Sequence, residues 1–429
     1  MEVSKYIFEQ VEKHHNLFSN SLPMIASENI ISPMARELLI CDFHDRYAEG
    51  APGKRYYQGN FFVDKVEIKT EELAKKLFKA NYADVRPISG TNANMAVLMA
   101  LGGPQKSITS VDVSDGAHIS SAEFGAVGMR GMKSKTYPFD VKEMNIDVDK
   151  TKQMLLKEKP DIALFGQSVF LFPTPLKELQ ETFKEIGCHT WYDAAHVLGL
   201  IAGGKFQDPL REGIEIITGS THKTLPGPQH GIILANPRNK EVEEKLFYGV
   251  FPGVLSNHHL NAMAALGVAL EEHIHFGSKY AEQIIKNAKA LGQALYERGF
   301  DVLCSHKGFT ESHTLAVDVR KQCGGGTAVD KMEQANMIAN KNLLPWDDVN
   351  KAQEPSGIRL GSQELTRIGM KESHMDEVAE FIKRIIIDNE SPEKVKEDVV
   401  EFRKDFQNIH YCFKEGMPAH KRFTFLEKY

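Results

Sequence analysis

Short apolar runs alternate with helix-spaced apolar positions along the chain from about Asp64 to Leu260. β-Branched and aromatic runs bounded by turn residues predict strands, whereas apolar positions recurring near the helical period predict helices. The predicted strands are 83–88, 107–113, 161–167, 188–192, 214–218 and 231–235, and two of the predicted helices are 92–101 and 175–186. Strands separated by helices indicate an α/β fold whose mostly parallel, mixed sheet is covered by helices.

A long helical region after about Leu260 leads into a second, smaller α+β unit. Its predicted strands are 312–319 and 357–360, its predicted helices are 328–339 and 374–387, and a closing helix is predicted from about residue 391. With more than 400 residues, the chain is too long for a single core. We therefore predict an N-terminal helical arm over 1–20, a large domain over 21–260, and a linking helix with a small C-terminal domain over 261–429.

The arm carries apolar residues at spacings near one or two helical turns, namely Val3, Ile7, Val11 and Phe18. An arm at the end of a chain often packs on a partner subunit. The alternative is that it folds back on its own domain, and the sequence leaves both open.

The amino-acid composition argues against several classes of protein. A hydrophobic fraction of 42%, a charged fraction of 26% and a net charge of -6 are those of a soluble globular protein without an electrostatic surface for nucleic acid. The five cysteines are dispersed without a CxxC pair, which indicates reduced thiols and no zinc site. No apolar run resembles a signal peptide or reaches the ~20 residues of a membrane span. We expect a cytoplasmic protein that binds neither membrane nor nucleic acid.

Polar groups with chemical potential follow the predicted strands, where ligands bind in parallel sheets. Ser89, Gly90 and Thr91 offer hydroxyls and free backbone N–H groups at a helix N-terminus, which is suited to a phosphate, although serine there is also a common N-cap. His118 is either a polar loop residue or an imidazole able to stack on a planar ring. Asp193 ends an apolar strand, so its carboxylate needs a partner: a backbone cap or a protonated ring nitrogen.

The fourth group is Lys223, in a loop that follows the run 214–218 and ends in Pro and Gly. Most lysines are solvated, but a lysine held on ordered backbone can lose its proton through desolvation and act as an amine nucleophile. A phosphate cup, a stacking imidazole, a buried aspartate and a loop lysine together indicate a pyridoxal phosphate site. The lysine would form a Schiff base, and the aspartate would keep the ring nitrogen protonated.

The loop from Tyr47 to Gly59 is rich in Gly and Pro, yet it carries Glu49 and three tyrosines. Composition alone is consistent with a structural turn or with a functional loop.

Several motifs together resemble the serine hydroxymethyltransferase family, which consists of fold-type I pyridoxal phosphate enzymes. The resemblance runs from about Leu22 to Glu372, and its most specific segments are Ile25-Ala26-Ser27-Glu28-Asn29, the loop 47–59, Asp193-Ala194-Ala195-His196-Val197, Thr221-His222-Lys223-Thr224 and Ser356-Gly357-Ile358-Arg359. It implies reversible transfer of a hydroxymethyl group between serine and glycine in one-carbon metabolism, through a Schiff base on Lys223. The carrier would be a tetrahydropterin, either tetrahydrofolate or a tetrahydromethanopterin.

The resemblance also implies a role for each site residue. The cofactor would be held by Lys223, by Asp193 at its ring nitrogen, by His196 near its phenolic oxygen, by His118 on its face, by Ser89, Gly90, Thr91 and Ser220 at its phosphate, and by Ser168 and Tyr47. Ser27 and Arg359 would bind the amino acid carboxylate, Asn342 the pterin, and Lys223, Glu49, Tyr57 and His222 would be catalytic, with Tyr57 also binding substrate. Tyr47 would reach the neighbouring subunit of a homodimer. A salt bridge within the small domain is the alternative role for Arg359.

Three segments depart from the family pattern. Gln229-His230 stands where the family has an arginine and a glycine, Ser256-Asn257 replaces a glycine pair, and Phe170 to Pro173 is more apolar than usual. These changes leave the chemistry in place and leave the identity of the pterin open.

Two other functions compete with this interpretation. A pterin-independent β-hydroxy amino acid aldolase of the threonine type would have little use for Glu49 and Asn342. A non-catalytic scaffold or RNA-binding protein on the same fold is disfavoured, because the net charge is negative and the chain retains all four of Lys223, Asp193, His118 and Arg359.

Overall fold

The computed structural model describes residues 2–349 and 353–420. Met1 of the predicted arm, and residues 350–352 and 421–429 of the predicted C-terminal domain, lie outside the described residues. The described strands are β1 (Leu22–Pro23), β2 (Gly50–Ala51), β3 (Lys54–Arg55), β4 (Tyr82–Asp84), β5 (Ser107–Ser110), β6 (Lys133–Thr136), β7 (Phe139–Asp140), β8 (Asn145–Ile146), β9 (Ile162–Phe165), β10 (His189–Asp193), β11 (Ile216–Ser220), β12 (Gly231–Ala235), β13 (Asp301–Val302), β14 (Thr314–Asp318), β15 (Met337–Ile338), β16 (Asn340–Asn342) and β17 (Gly357–Gly361). The described α-helices are α1 (Glu2–Ser19), α2 (Pro33–Leu38), α3 (Phe61–Phe78), α4 (Gly90–Leu101), α5 (Ala126–Met129), α6 (Val148–Glu158), α7 (Leu176–Ile186), α8 (Leu198–Ala202), α9 (Lys240–Val250), α10 (Leu260–Glu297), α11 (Gly325–Gln334), α12 (Gln363–Arg367), α13 (Met375–Ile386) and α14 (Pro392–Arg403).

The large sheet has seven strands in the order β4-β12-β11-β10-β9-β5-β6. Its pairs are parallel except at β12, which runs antiparallel to both β11 and β4. This is the mostly parallel, mixed sheet that the alternation of patterns predicts. The sequence missed β6, because Lys133–Thr136 is a polar edge strand with no buried residue.

The large sheet is buried on both faces. Successive residues of one strand enter different hydrophobic clusters: Trp191 packs on one side with Leu164, and Tyr192 packs on the other side with Phe165. Since side chains alternate along a strand, burial of both faces requires a continuous apolar run. That is why these strands are visible in the sequence.

A second, antiparallel sheet has the order β13-β14-β17-β16 and a separate core around Val317 and Ile358. Helix α10 links the two cores, because its first half contributes Met263 to one and its last turns contribute Leu295 to the other. The division at residues 20 and 260 stays a prediction. The structure adds that β1 pairs with β15 in a separate two-stranded sheet and that Leu22 joins the C-terminal core, so the segment after the arm packs with the C-terminal part of the chain.

The predicted helix 328–339 is placed too far along the chain. Helix α11 ends at Gln334, and Asn336 then adopts a left-handed φ of 56° before β15 begins. A left-handed residue cannot continue an α-helix.

Helix α1 lies within the range predicted for the arm, and none of its residues is fully buried. Val3 is 73% exposed, and Tyr6, Ile7, Phe8 and Val11 are also exposed. These apolar residues therefore do not fold back on the core of their own chain. None of the described helices combines the length and the hydropathy that crossing a bilayer would require.

Candidate active site

The carboxyl ends of β9, β10 and β11 open into one pocket together with the N-terminus of α4. The predicted site residues that line it are Gly90, Thr91, His118, Ser168, Asp193, His196, Ser220 and Lys223. Asp193 is the one carboxylate among all the described residues that line this pocket. The topology thus brings together residues up to 133 positions apart, Gly90 and Lys223.

One corner of the pocket is formed by the close approach of α4 and β11. A Cβ on Gly90 would lie 2.4 Å from Ser220 Oγ, so only glycine permits this contact. The Ser89 hydroxyl is used as the N-cap of α4 and accepts the Asn92 N–H at 3.0 Å. The N–H groups of the first helical turn have no partner within the helix, so the corner around Gly90, Thr91 and Ser220 is suited to an anion and is called the cradle below.

Asp193 lies at the end of β10 with both carboxylate oxygens engaged. Oδ1 accepts the Ala195 N–H at 3.0 Å, and Oδ2 accepts an Asn94 Nδ2–H at 2.8 Å. These two hydrogen bonds fix the orientation of the carboxylate at the end of the strand.

His118 lies across the pocket, and its Nδ1 is 2.8 Å from Ser120 Oγ and accepts the Ser120 N–H at 3.2 Å. Burial lowers the His118 pKa, so the ring is neutral with its proton on Nε2.

Lys223 is buried, with 9% of the residue exposed. Burial lowers its pKa to about 8; the Asp193 carboxylate opposes this shift and the Arg359 cation adds to it. Its carbonyl accepts an Asn29 Nδ2–H at 2.6 Å, and the Asn29 amide also contacts the Tyr280 hydroxyl at 2.9 Å. The interpretation of Lys223 as a solvated surface lysine is therefore wrong.

Arg359 lies on β17, beside the pocket, and is buried. Its Nε donates to Asn340 Oδ1 at 3.1 Å and its Nη1 donates to the Ser168 carbonyl at 2.8 Å. Among the described residues it forms no ion pair with a carboxylate, which argues against the alternative of a salt bridge within the small domain. Burial lowers its pKa to about 10, which leaves a guanidinium that is still charged at neutral pH.

His196 lies in the pocket wall and is neutral, because burial holds its pKa well below the usual range. Its Nδ1 has no hydrogen-bond partner among the described residues. The ring stacks on His313 at a centroid distance of 5.7 Å. His313 is itself buried and donates from Nε2 to the Ala26 carbonyl at 3.1 Å.

Two predicted residues lie outside this pocket, in a neighbouring cavity of about 960 Å³. Ser27 and His222 line it together with Glu28 and Gln229. Burial, with a smaller contribution from the Lys223 charge, lowers the pKa of His222 to about 4. His222 is thus a neutral imidazole on the far side of the lysine loop.

Tyr47, Glu49 and Tyr57 do not line the Lys223 pocket either. The Tyr47 and Tyr57 rings are 4.8 Å apart and are 43% and 47% exposed. The Tyr47 hydroxyl is 3.2 Å from Ser256 Oγ, and Asn257 Oδ1 accepts the Ala48 N–H at 2.8 Å. Ser256 and Asn257 therefore anchor the tyrosine loop, which forms a second cluster on the surface.

Asn342, the predicted pterin contact, is half-buried on the edge strand β16 and does not line the pocket. Its neighbour Asn340 is the residue that contacts Arg359.

Sequence reasoning missed four polar residues that hold the site, namely Asn29, Asn94, His313 and Asn340. Asn94 had a local signal, since it is a polar residue on the buried face of an otherwise apolar helix. The roles of Asn29, His313 and Asn340 become apparent only in the folded structure, where segments distant in sequence come into contact.

The sheet, the strand-end pocket and the buried lysine define a fold-type I pyridoxal phosphate-dependent enzyme. The family model described as serine hydroxymethyltransferase matches residues 1–382. The chain belongs to the serine hydroxymethyltransferase family.

Curated relatives agree with the family model over nearly the whole chain. The serine hydroxymethyltransferase of Thermoplasma acidophilum is 55% identical over 412 residues, 96% of each chain. That of Picrophilus torridus is 56% identical over 413 residues, 96% of this chain and 95% of the relative. That of Methanocaldococcus jannaschii is 53% identical over 419 residues, 97% of each chain. The family depends on pyridoxal phosphate and uses a folate-type one-carbon carrier.

Proposed function

We propose that the pocket around Lys223 carries out the reaction of its family, the reversible transfer of a hydroxymethyl group between serine and glycine. The observation that carries the proposal is a buried lysine and a buried arginine beside a pocket with one carboxylate, Asp193. Excess positive charge in a desolvated site favours anionic ligands. The phosphate of a cofactor and the carboxylate of an amino acid supply the negative charge that balances it.

The residues of the pocket fit pyridoxal phosphate. The cradle at Gly90 and Ser220 suits its phosphate, and Asp193 suits its pyridine nitrogen. His196 Nδ1, which has no partner in the described part of the chain, suits its phenolic oxygen. When bound, the cofactor supplies an aldehyde for amine exchange and a protonated ring that accepts electrons from the amino acid.

The protein groups bind, orient and move protons. Lys223 is close enough to neutrality to attack an aldehyde, because burial has brought its pKa to about 8. The neutral His118 ring lies on the wall of the pocket, where it can stack on a planar ring. Arg359 and Ser27 orient the carboxylate of serine or glycine. Glu49 exchanges the proton that the one-carbon transfer requires.

A homodimer completes the site. In one chain, Tyr47 and Tyr57 form an exposed cluster separate from the Lys223 pocket, and Glu49 lies half-buried in the same loop. Val3, Ile7 and Val11 of α1 are exposed as well. Phe61 and Phe62, at the start of α3, are also exposed. Contiguous exposed apolar residues favour a protein–protein interface. In a twofold dimer the tyrosine cluster of one subunit meets the pocket of the other.

Mixing two inactive variants tests this sharing of sites. Lys223→Ala and Glu49→Gln homodimers should each lose activity, whereas an exchanged mixture should regain about a quarter of wild-type activity. Half of the dimers are then heterodimers, and each contains one site with both native groups. Glycine formation gives the activity, and native mass spectrometry confirms the exchange.

The matched control mixes Lys223→Ala with Arg359→Ala. Both changes affect the same pocket, so every site of that heterodimer keeps one defect and no activity should return. Equal recovery in the two mixtures, or none in the first after confirmed exchange, contradicts a shared site.

The carrier is a tetrahydropterin, either tetrahydrofolate or a tetrahydromethanopterin. The expected result is a visible absorbance band typical of bound pyridoxal phosphate, and a long-wavelength band with glycine that forms only when one of these pterins is added. Conversion of serine should depend on the same pterin. Ready cleavage of threonine, with bands indifferent to both pterins, would support the aldolase instead, and a colourless protein would support the scaffold.

A further inference from the structure

Asn94 links the two side chains that face each other across the pocket. One N–H of its amide donates to Asp193 Oδ2 at 2.8 Å, and Nδ2 also lies 3.1 Å from Ser120 Oγ. Ser120 Oγ is in turn 2.8 Å from His118 Nδ1. A single buried amide therefore contacts the carboxylate directly and the imidazole through one hydroxyl.

Thr218 and Trp191 determine the orientation of the Asn94 amide. Asn94 Oδ1 accepts the Thr218 hydroxyl at 2.6 Å, and that hydroxyl accepts the Trp191 Nε1–H at 2.9 Å. An indole N–H can only donate, so Thr218 must accept from it and direct its own hydrogen to Asn94. The Asn94 carbonyl then faces Thr218 and its NH₂ group faces Asp193.

Flipping the Asn94 amide would cost hydrogen bonds on both sides. A flipped Asn94 amide would place its carbonyl against the Asp193 carboxylate, oxygen to oxygen, and would leave the Thr218 hydroxyl facing an NH₂ group. Trp191, Thr218 and Asn94 are all buried, so water cannot replace the lost bonds. The chain of donors therefore has one direction, from Trp191 to Asp193.

We propose that Asn94 is a positioning residue, which the Trp191–Thr218 pair orients so that its amide fixes the Asp193 carboxylate toward the ring nitrogen of the cofactor and the His118 ring with Nε2–H toward the pocket. The inference rests on the proposed binding of pyridoxal phosphate at Lys223. Helix α4 would then have two roles. Its N-terminus contributes to the phosphate cradle, and Asn94 on its buried face positions the groups that contact the cofactor ring.

The test compares Thr218→Val, which keeps the side-chain shape but removes the hydroxyl, with Thr218→Ser, which keeps the hydroxyl. Cofactor-free protein is titrated with pyridoxal phosphate and with its 1-deaza analogue, which lacks the ring nitrogen. We expect Thr218→Val to weaken binding of pyridoxal phosphate about tenfold and binding of the analogue less than twofold, with Thr218→Ser near wild type. In the loaded enzyme, kcat should fall about tenfold while the serine KM changes less than twofold.

Asn94→Ala is the second variant, in case Thr218→Val does not fold, and it should show the same selective loss for pyridoxal phosphate. Thr151→Val is the matched control, because Thr151 is a buried threonine of α6 whose hydroxyl has no partner among the described residues. Equal weakening of both ligands would mean a structural role only and would overturn the inference, as would wild-type binding in both Thr218→Val and Asn94→Ala. A wild-type protein that binds neither ligand would instead contradict the proposed function.

Discussion

Replacing Lys223 with alanine is expected to lower the rate of serine conversion to glycine by at least about a thousandfold. The variant removes the only amine in the wall of the pocket among the described residues. The phosphate cradle and Asp193 remain, so the variant should still bind pyridoxal phosphate non-covalently. Borohydride reduction followed by peptide mass spectrometry should label Lys223 in the wild type and no lysine in the variant.

Lys157→Ala is the matched control, since Lys157 is an exposed lysine on α6 whose loss should leave activity unchanged. In the wild type, capture of the cofactor should quicken as pH rises and level off above about pH 8, because burial lowers the Lys223 pKa to about 8 from 10.5 and only the neutral amine attacks. A Lys223→Ala enzyme that keeps more than a tenth of wild-type activity would exclude this lysine as the nucleophile.

The six predicted strands match strands of the large sheet, because both faces of this sheet are buried. Three of them are predicted to end several residues later than they do in the structure. Residues 85–88, 111–113 and 166–167 follow β4, β5 and β9 without pairing in the sheet. Of these residues, Gly166 and Gln167 line the pocket. Gly166 shows the reason, since its φ of 124° and its approach to the Asp193 carbonyl break the strand geometry.

Candidate site residues could be predicted where a local sequence pattern places them next to a strand end. Asp193, Ser220 and Lys223 follow apolar strands directly, so position in the chain gives position in the fold. Asn94 and His313 could not be assigned in this way, because their partners lie far away in sequence, such as Asp193 for Asn94 at 99 positions and Ala26 for His313 at 287. Such contacts depend on tertiary packing that no local period encodes.

The departures from the family pattern have structural consequences. His230 is fully buried, both of its ring nitrogens lack a partner among the described residues, and burial lowers its pKa to about 3. A neutral ring thus occupies the position where the family has a glycine, next to Gln229 at the position of the family's arginine. Phe170 to Phe172 are buried, and the Phe170 and Leu171 carbonyls accept hydroxyls from Ser312 and Thr310, so this segment joins the two sheets.

Replacing Arg359 with alanine should raise the serine KM by at least about a hundredfold while leaving pyridoxal phosphate bound. Hydrogen bonds from a buried guanidinium to a carboxylate are among the stronger polar contacts, and Arg359 has no carboxylate partner among the described residues. Arg359→Lys should recover only part of this loss, because an ammonium lacks the planar fork and cannot keep the contacts to Asn340 and Ser168 while it binds a carboxylate.

The decisive measurement compares glycine with glycinamide, which lacks the carboxylate, by the change in visible absorbance on binding. Wild type should prefer glycine strongly, and Arg359→Ala should lose most of this preference because it binds glycine more weakly but glycinamide about as before. Arg320→Ala is the control, since Arg320 is a partly exposed arginine near the same sheet that pairs with Asp318. An unchanged serine KM, or a preference for glycine that survives in Arg359→Ala, would place the carboxylate elsewhere. Ser27 in the neighbouring cavity would then be the remaining predicted carboxylate-binding residue.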